Sequence, residues 1–296
     1  MGMGADVFAA RPDLLGVGAD RILGWSLATL CLDGPDAELT GTDRAQPALY
    51  AVAYALWDEL RRRLRKAPSA FAGHSLGEYT ALAAAGAFSF GHGLHLVAER
   101  GKAMAYAADA EPSGMSALIG ADAEAAENLA AACRRSGGRL WVANINAPGQ
   151  VVVAGAAEGL AWVKEHASEH GVKRVVALKV AGAFHTPLMA SAATRLRAAL
   201  SAVPLREPGT PVWANVSAAP YRGDPGETLV AQLTSPVRFG ESLAGMGRAG
   251  IRRFVHVGPG DVTAGLAGRS VEGAETHVVS TLDQAVAVAE ALNASW

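Results

Sequence analysis

Covalent chemistry in this chain centres on Gly73-His74-Ser75-Leu76-Gly77, a serine framed by glycines two residues away on either side. The G-x-S-x-G pattern predicts a short apolar strand, Ala70 to Ala72, a turn too sharp for side chains at Gly73 and Gly77, and a helix leaving at Leu76, so that the Ser75 hydroxyl stands clear of the backbone. A helix start has free N–H groups and partial positive charge, which makes the Leu76 N–H the natural donor to an acyl oxygen becoming an oxyanion. A serine hydroxyl is a weak nucleophile at neutral pH and needs a base within hydrogen-bond reach, usually histidine. Of the eight histidines, His185 follows a strand end and precedes Thr186-Pro187, in a loop over the sheet edge where functional side chains gather. His74 sits inside the turn, pointing away from the path of Ser75 and toward the pocket lining. His92 and His95 adjoin a Gly-rich helix start, His256 lies in a buried-looking strand, and His277 has no supporting motif. His166 and His170 share an outer helix face at i, i+4 but lack a third metal ligand.

The elements that must hold these residues follow from periodicity and punctuation. The region to about Thr42 is helical in fragments broken by Pro12, Gly16, Gly18 and Gly34-Pro35, with no opening strand. Gln46 to Lys66 is an amphipathic helix with Leu49, Val52, Ala53, Leu56, Trp57, Leu60 and Leu64 on one face, a basic end from Arg61 to Lys66, and Pro68 as its stop. After the turn come helices at Leu76 to Ala85 and Phe88 to Ala107, the second carrying Arg100. A strand at Met115 to Ile119, helix at Ala123 to Arg135, strands at Leu140 to Ile145 and Gln150 to Ala154, helix at Ala157 to His170 and strand at Arg174 to Val180 then spell β-α-β-β-α-β, the ferredoxin-like unit. The fold class is therefore α/β: a large domain, residues 1–112 and 182–296, interrupted by a small subdomain, residues 113–181. The large domain resumes with a helix from Leu188 to Ala202, a strand at Val212 to Val216, an amphipathic region from Thr228 to Met246, and a last strand, Phe254 to Val257, before Gly258-Pro259-Gly260.

With 296 residues, half of them hydrophobic and 18% charged, the chain can bury a sizeable core. No apolar run approaches the roughly 20 residues of a membrane span, and the start lacks the features of a signal peptide, so a cytoplasmic protein is expected. Its formal charge of −2 argues against a dedicated nucleic-acid binder. Cys31 and Cys133 have neither disulfide nor metal-ligand spacing and read as small buried hydrophobes. The Asn215-Val-Ser217 and Asn293-Ala-Ser295 sequons carry no meaning in a cytosolic protein.

Several further pieces, in order, resemble the malonyl-CoA:acyl carrier protein transacylase family: Gln46-Pro47-Ala48-Leu49, Gly73-His74-Ser75-Leu76-Gly77-Glu78-Tyr79, Arg100-Gly101-Lys102 with Met104, Asn144-Ile145-Asn146-Ala147-Pro148-Gly149-Gln150, Phe184-His185, Gln232 with Pro236, and Gly258-Pro259-Gly260. The resemblance covers nearly the whole chain and implies a hydrolase-like α/β domain with a parallel sheet and an inserted ferredoxin-like subdomain. It also implies ping-pong transfer of malonyl from coenzyme A to Ser75, and from there to the phosphopantetheine thiol of an acyl carrier protein. His185 would be the base, oriented by the main-chain carbonyl of Gln232. A dyad is expected, since Asp109 and Asp122 are poorly placed for a triad. Arg100 would grip the free carboxylate of malonate, Phe184 and Leu76 would disfavour a methyl on the α-carbon, and His74, Asn146 and Met104 would complete the pocket. No cofactor is called for, because coenzyme A enters as part of the substrate. The enzyme is expected to work as a monomer, with Arg61 to Lys66, or Arg134 and Arg135, facing the acidic carrier.

Relatives of this type open with a strand leading to a Gly-Gln-Gly-x-Gln loop that supplies the second oxyanion donor, and Met1-Gly2-Met3-Gly4 corresponds to residues just after it. The first strand of the fold is therefore expected to be missing and the natural start to lie upstream. Two other functions fit the same motifs: a thioester hydrolase that strips stalled acyl groups from carriers, and a silent carrier-binding scaffold.

Overall fold

Proline and glycine break the first stretch of chain into five short helices, α1 (Ala5–Ala10), α2 (Pro12–Leu15), α3 (Val17–Leu23), α4 (Leu27–Asp33) and α5 (Asp36–Leu39), in a computed structural model that describes residues 2–295. Met1 lies outside the described residues. Helix α6 (Thr42–Arg61) begins a turn earlier than Pro47 suggests and ends before Lys66. Pro47 lies in the second turn of α6 and takes its own N–H out of the helix ladder, yet the turn before it is helical. At the other end, Asn293 accepts from the Arg65 N–H at 2.9 Å and donates to the Arg63 carbonyl at 2.8 Å, taking that backbone out of helical pairing.

Strand β1 (Phe71–Ala72) is the two-residue entry to the serine turn, followed by α7 (Gly77–Ala84) and α8 (Phe90–Asp109). Helices α6 and α8 pack closely, burying Tyr50, Leu56, Leu94 and Val97 in the main core. Gly101 makes this approach possible, since a Cβ there would lie 2.8 Å from the Thr42 carbonyl oxygen.

The middle of the chain forms β2 (Ser113–Ile119), α9 (Ala123–Arg135), β3 (Leu140–Ala147), β4 (Gln150–Ala156), α10 (Ala157–His166) and β5 (Arg174–Ala177). Their antiparallel sheet has the order β3-β4-β2-β5, the ferredoxin-like arrangement, over a core of its own that includes Leu118, Leu129, Leu140 and Val153. Register shifts between Val142 and Asn144 and between Ile145 and Ala147 bend β3, and Ile145 and Val237 bond across at 2.8 Å to tie this sheet to the large domain.

The chain then runs through α11 (Ala190–Ser201), β6 (Val212–Ala214), β7 (Ala219–Pro220), α12 (Gly226–Gln232), α13 (Phe239–Arg248), β8 (Arg253–Val257), α14 (Val262–Ser270), β9 (Glu275–Val279) and α15 (Leu282–Ala294). The parallel sheet expected of the large domain is instead mixed: β1 pairs parallel with β6, β7 returns antiparallel on β6, and β8 and β9 form a separate parallel pair. Phe254 to Val257 is thus not the last strand. His277 lies in β9, and His256 is half-buried because β8 faces a groove of about 790 Å³ rather than a closed core. That groove separates β8 from β1 and is walled by Leu49, Trp57, Phe71, Phe254 and Val257. Leu49, expected in the core, is 37% exposed there.

The basic end of α6 is not a free cationic patch. Arg61 and Arg62 pair with the buried Asp58, and Arg63 pairs with Glu59 at 2.7 Å. In the small subdomain, Arg134 pairs with Glu127 at 2.6 Å.

Candidate active site

Ser75 sits between β1 and α7 with φ 51°, a left-handed backbone that a serine adopts only when its surroundings enforce it. Asn215 is the main enforcer. Its Oδ1 accepts from the Ser75 N–H at 2.7 Å, and its Nδ2 donates to the Gly73 carbonyl at 2.7 Å, clamping both sides of the turn. A Cβ at Gly73 would stand 2.0 Å from the Gly77 carbonyl group, so no side chain fits. At Gly77 a Cβ would meet nothing within 4 Å, which corrects the expectation that both glycines exclude side chains. Gly73 needs the room because it lies against the Gly77 backbone; the Cβ direction of Gly77 faces open space. The helix starts at Gly77, with Leu76 as its cap residue. From Ser75 to Tyr79 each N–H has an acceptor among the described residues except that of Leu76.

His185, also left-handed at φ 62°, brings Nε2 to 2.7 Å from Ser75 Oγ, while its Nδ1 lies 2.8 Å from the main-chain oxygen of Gln232 at the end of α12. A carbonyl can only accept, so the proton is on Nδ1 and Nε2 is free to take the serine proton. Burial, with the nearby Arg100 charge, pushes the His185 imidazole down to about 3, against the pull of the Gln232 carbonyl. It is therefore a neutral base throughout the physiological range.

Arg100, on α8, is 1% exposed. Its Nη2 donates to Ser75 Oγ at 3.0 Å and to Gln232 Oε1 at 2.9 Å, and its Nη1 donates to Gln46 Oε1. Its guanidinium stands 5.4 Å from the centre of the Tyr79 ring. Among the described residues no carboxylate forms an ion pair with it. Its hydrogen bonds go only to amide and hydroxyl groups, which leaves the guanidinium able to receive a carboxylate directly.

The acyl transferase domain family matches residues 3–285. The chain belongs to that family. This acyl transferase is 39% identical to the malonyl CoA-acyl carrier protein transacylase of Bacillus subtilis over 270 residues, covering 90% of this chain and 85% of that protein. It is 42% identical over 267 residues to the polyketide biosynthesis protein ThaF of Burkholderia thailandensis, where it covers 90% of this chain but spans only 22% of the longer relative. A solved malonyl-transacylase in complex with a type II polyketide synthase acyl-carrier protein superposes with a TM-score of 0.92 at 33% identity, covering 98% of this chain and 95% of that one.

The remaining residues expected to line the pocket of this acyl transferase come from four elements. His74 Nε2 lies 2.7 Å from Asn146 Oδ1 on the bent strand β3, and burial lowers its pKa, so it too is neutral. Phe184 is half-buried before His185 and packs against both the main core and the cluster around Met115. Met104 is buried one turn along α8 from Arg100, its Sδ accepting from Gln46 Nε2 at 3.4 Å.

Four polar residues in the site had no role assigned from sequence. Gln46 and Glu78 lie inside quoted motifs; Asn215 was dismissed with its sequon, and Tyr221 stands in no motif. Glu78 is fully buried, and its carboxylate accepts from the Tyr221 hydroxyl and Gln232 Nε2, both at 2.5 Å, and from the Asn215 N–H at 3.2 Å. Glu78, an acid in the first turn of the apolar helix that follows the nucleophile, was the available clue.

Proposed function

We propose that this chain moves a malonyl group from coenzyme A to the phosphopantetheine thiol of an acyl carrier protein, in fatty-acid or polyketide synthesis, as an [acyl-carrier-protein] S-malonyltransferase. The observation that carries the reading is the buried Arg100 guanidinium, 3.0 Å from Ser75 Oγ and without a carboxylate partner. Names of the similar proteins support the same substrate and carrier.

In the first half-reaction His185 Nε2 takes the Ser75 proton as Oγ attacks the thioester carbonyl. The Leu76 N–H, uncommitted elsewhere, receives the developing oxyanion. As the tetrahedral adduct collapses, His185 returns the proton to the coenzyme A sulfur. In the second, the carrier thiol gives its proton to His185 and attacks the acyl carbon, and Ser75 Oγ leaves with that proton. Meanwhile the malonyl carboxylate accepts from Arg100 in place of Ser75 Oγ, giving the guanidinium a direct anionic partner. No cofactor enters these steps. Substrate and carrier meet the enzyme, acting as a monomer, in the cytoplasm; among the described residues no single helix is long and apolar enough to cross a membrane.

Partition of radiolabel from malonyl-CoA tests the reading against a carrier thioesterase. Label passing from Ser75 to holo-carrier faster than to water supports transfer, and the reverse overturns it.

A further inference from the structure

Resting on the reading that Arg100 receives the substrate carboxylate, we propose that Glu78 is a positioning residue for malonyl selectivity, setting Arg100 through the side-chain amide of Gln232. The relay is continuous and fully buried. Gln232 Nε2 donates to Glu78 Oε2 at 2.5 Å and to the Ser75 carbonyl at 2.9 Å, while its Oε1 accepts from Arg100 Nη2 at 2.9 Å. Glu78, Gln232 and Arg100 are each no more than 1% exposed.

The direction of the amide follows from the partners. A guanidinium can only donate and the Ser75 carbonyl can only accept, so the amide oxygen must face Arg100 and the nitrogen must face Ser75 and, beside it, Glu78. Glu78 is itself held in place from behind by the Tyr221 hydroxyl and the Asn215 N–H, both on Oε1. Because the side chain of Asn215 clamps the serine turn while its main-chain N–H holds Glu78, carboxylate and nucleophile share one supporting residue. Glu78 makes no direct hydrogen bond or ion pair to Arg100. Its influence travels through one amide, whose main-chain oxygen also orients His185.

Replacing Glu78 by glutamine keeps shape and burial but reverses one preference. The Asn215 N–H still requires an oxygen, so the new amide nitrogen must face Gln232 Nε2, donor against donor. Turning the Gln232 amide to relieve this places its nitrogen against Arg100 and its oxygen against the Ser75 carbonyl. Either arrangement dislodges the guanidinium. An apolar or uncharged acyl group does not use that guanidinium, so its transfer is spared this particular loss.

The test compares acyl-enzyme formation from malonyl-CoA and acetyl-CoA, read by intact-mass spectrometry under single-turnover conditions. In Glu78→Gln the malonyl-to-acetyl rate ratio is expected to fall at least about tenfold, the scale of one hydrogen bond to a charged group. A merely structural role would slow both acyl groups together, and an unchanged ratio in folded Glu78→Gln overturns the proposal. Gln232→Leu breaks the relay at its centre while keeping the main-chain oxygen that orients His185. The same fall is expected there, with no further fall on adding Glu78→Gln. If Glu78→Gln does not fold, an unchanged ratio in Gln232→Leu overturns the relay on its own. A wild-type enzyme without preference for malonyl-CoA would instead refute the underlying reading of Arg100, so the two failures are distinguishable.

Discussion

Ser75 Oγ and His185 Nε2 lie 2.7 Å apart, and both residues hold left-handed backbones, at φ 51° and 62°. Nucleophile and base thus meet at two strained corners, each fixed by hydrogen bonds from a distant segment, Asn215 for one and Gln232 for the other. Residues with a Cβ are disfavoured there by about 1–2 kcal/mol, a cost that the surrounding fold offsets.

That strain is measurable by comparing two inactive variants. Ser75→Gly and Ser75→Ala both remove the hydroxyl, but only glycine relieves the backbone. Ser75→Gly is expected to be the more stable by about 1 kcal/mol in urea unfolding. Equal stability, or a more stable alanine variant, would show that the turn is unstrained.

The two glycines of the turn are predicted to differ. Gly73→Ala would drive a methyl into the Gly77 carbonyl group, 2.0 Å away. A loss of about 3 kcal/mol or more is expected, since neither backbone can retreat without breaking the Asn215 clamp. Gly77→Ala meets open space in a helical turn and should change stability by less than about 1 kcal/mol. Thermal or urea unfolding of the two variants checks the contrast.

Arg100→Met should separate malonyl from acetyl transfer. Losing two charge-assisted hydrogen bonds to the substrate carboxylate slows malonyl loading by about a hundredfold to a thousandfold. Acetyl loading should change far less, because no carboxylate is present to use the guanidinium. Rates of Ser75 acylation from each thioester decide this, and a uniform fall for both would assign Arg100 a structural role.

The His185 imidazole, pushed down to about 3 by burial and the Arg100 charge, stays neutral well below the ordinary histidine range. Burial raises the Glu78 carboxyl beneath the site to about 7, so the His185 reading is taken in Glu78→Gln, where inactivation of Ser75 by an uncharged sulfonyl fluoride is expected to be flat from pH 8 to about 5, with no inflection near 6.5. The sign for stability follows from the same shift. The folded state binds this proton less tightly than the unfolded chain, so the stability that His185 contributes is full above 6.5 and is lost as pH falls from there toward 3. A histidine-like inflection near 6.5 in the inactivation profile would contradict the neutral, carbonyl-bound base.

What could be read ahead from the sequence was local. Ser75, Leu76 and Gly73 belong to one turn whose geometry follows from five consecutive residues, and the ferredoxin-like unit announces itself through alternating periods of two and 3.6. His185 was reached by elimination among the histidines, and Arg100, Gln232 and the pocket residues through resemblance to the family. Less readable were contacts made only when distant segments converge. Asn215 stands 140 positions from Ser75, in a triplet that read as an empty sequon. Gln46 reaches Arg100 because Gly101 lets α8 approach α6, and Tyr221 reaches Glu78 only after β6 and β7 fold back. Strand β7 is two residues long, and β9, Glu-Thr-His-Val-Val, is too polar at its start to resemble a buried strand. The ion pairs at the basic end of α6 were unreadable for a related reason: Asp58 and Glu59, at three- and four-residue spacings, engage Arg61, Arg62 and Arg63, which a count of basic residues overlooks.

The central claim, that Ser75 carries a malonyl group between coenzyme A and a carrier thiol, is tested most directly by intact-mass spectrometry. The enzyme is mixed with malonyl-CoA, mapped by peptide digestion, and then given holo-carrier. The account predicts one malonyl increment on the peptide holding Ser75, absent in Ser75→Ala, that moves onto the carrier within the turnover time. No increment on Ser75, or an increment that the carrier cannot remove, would contradict it.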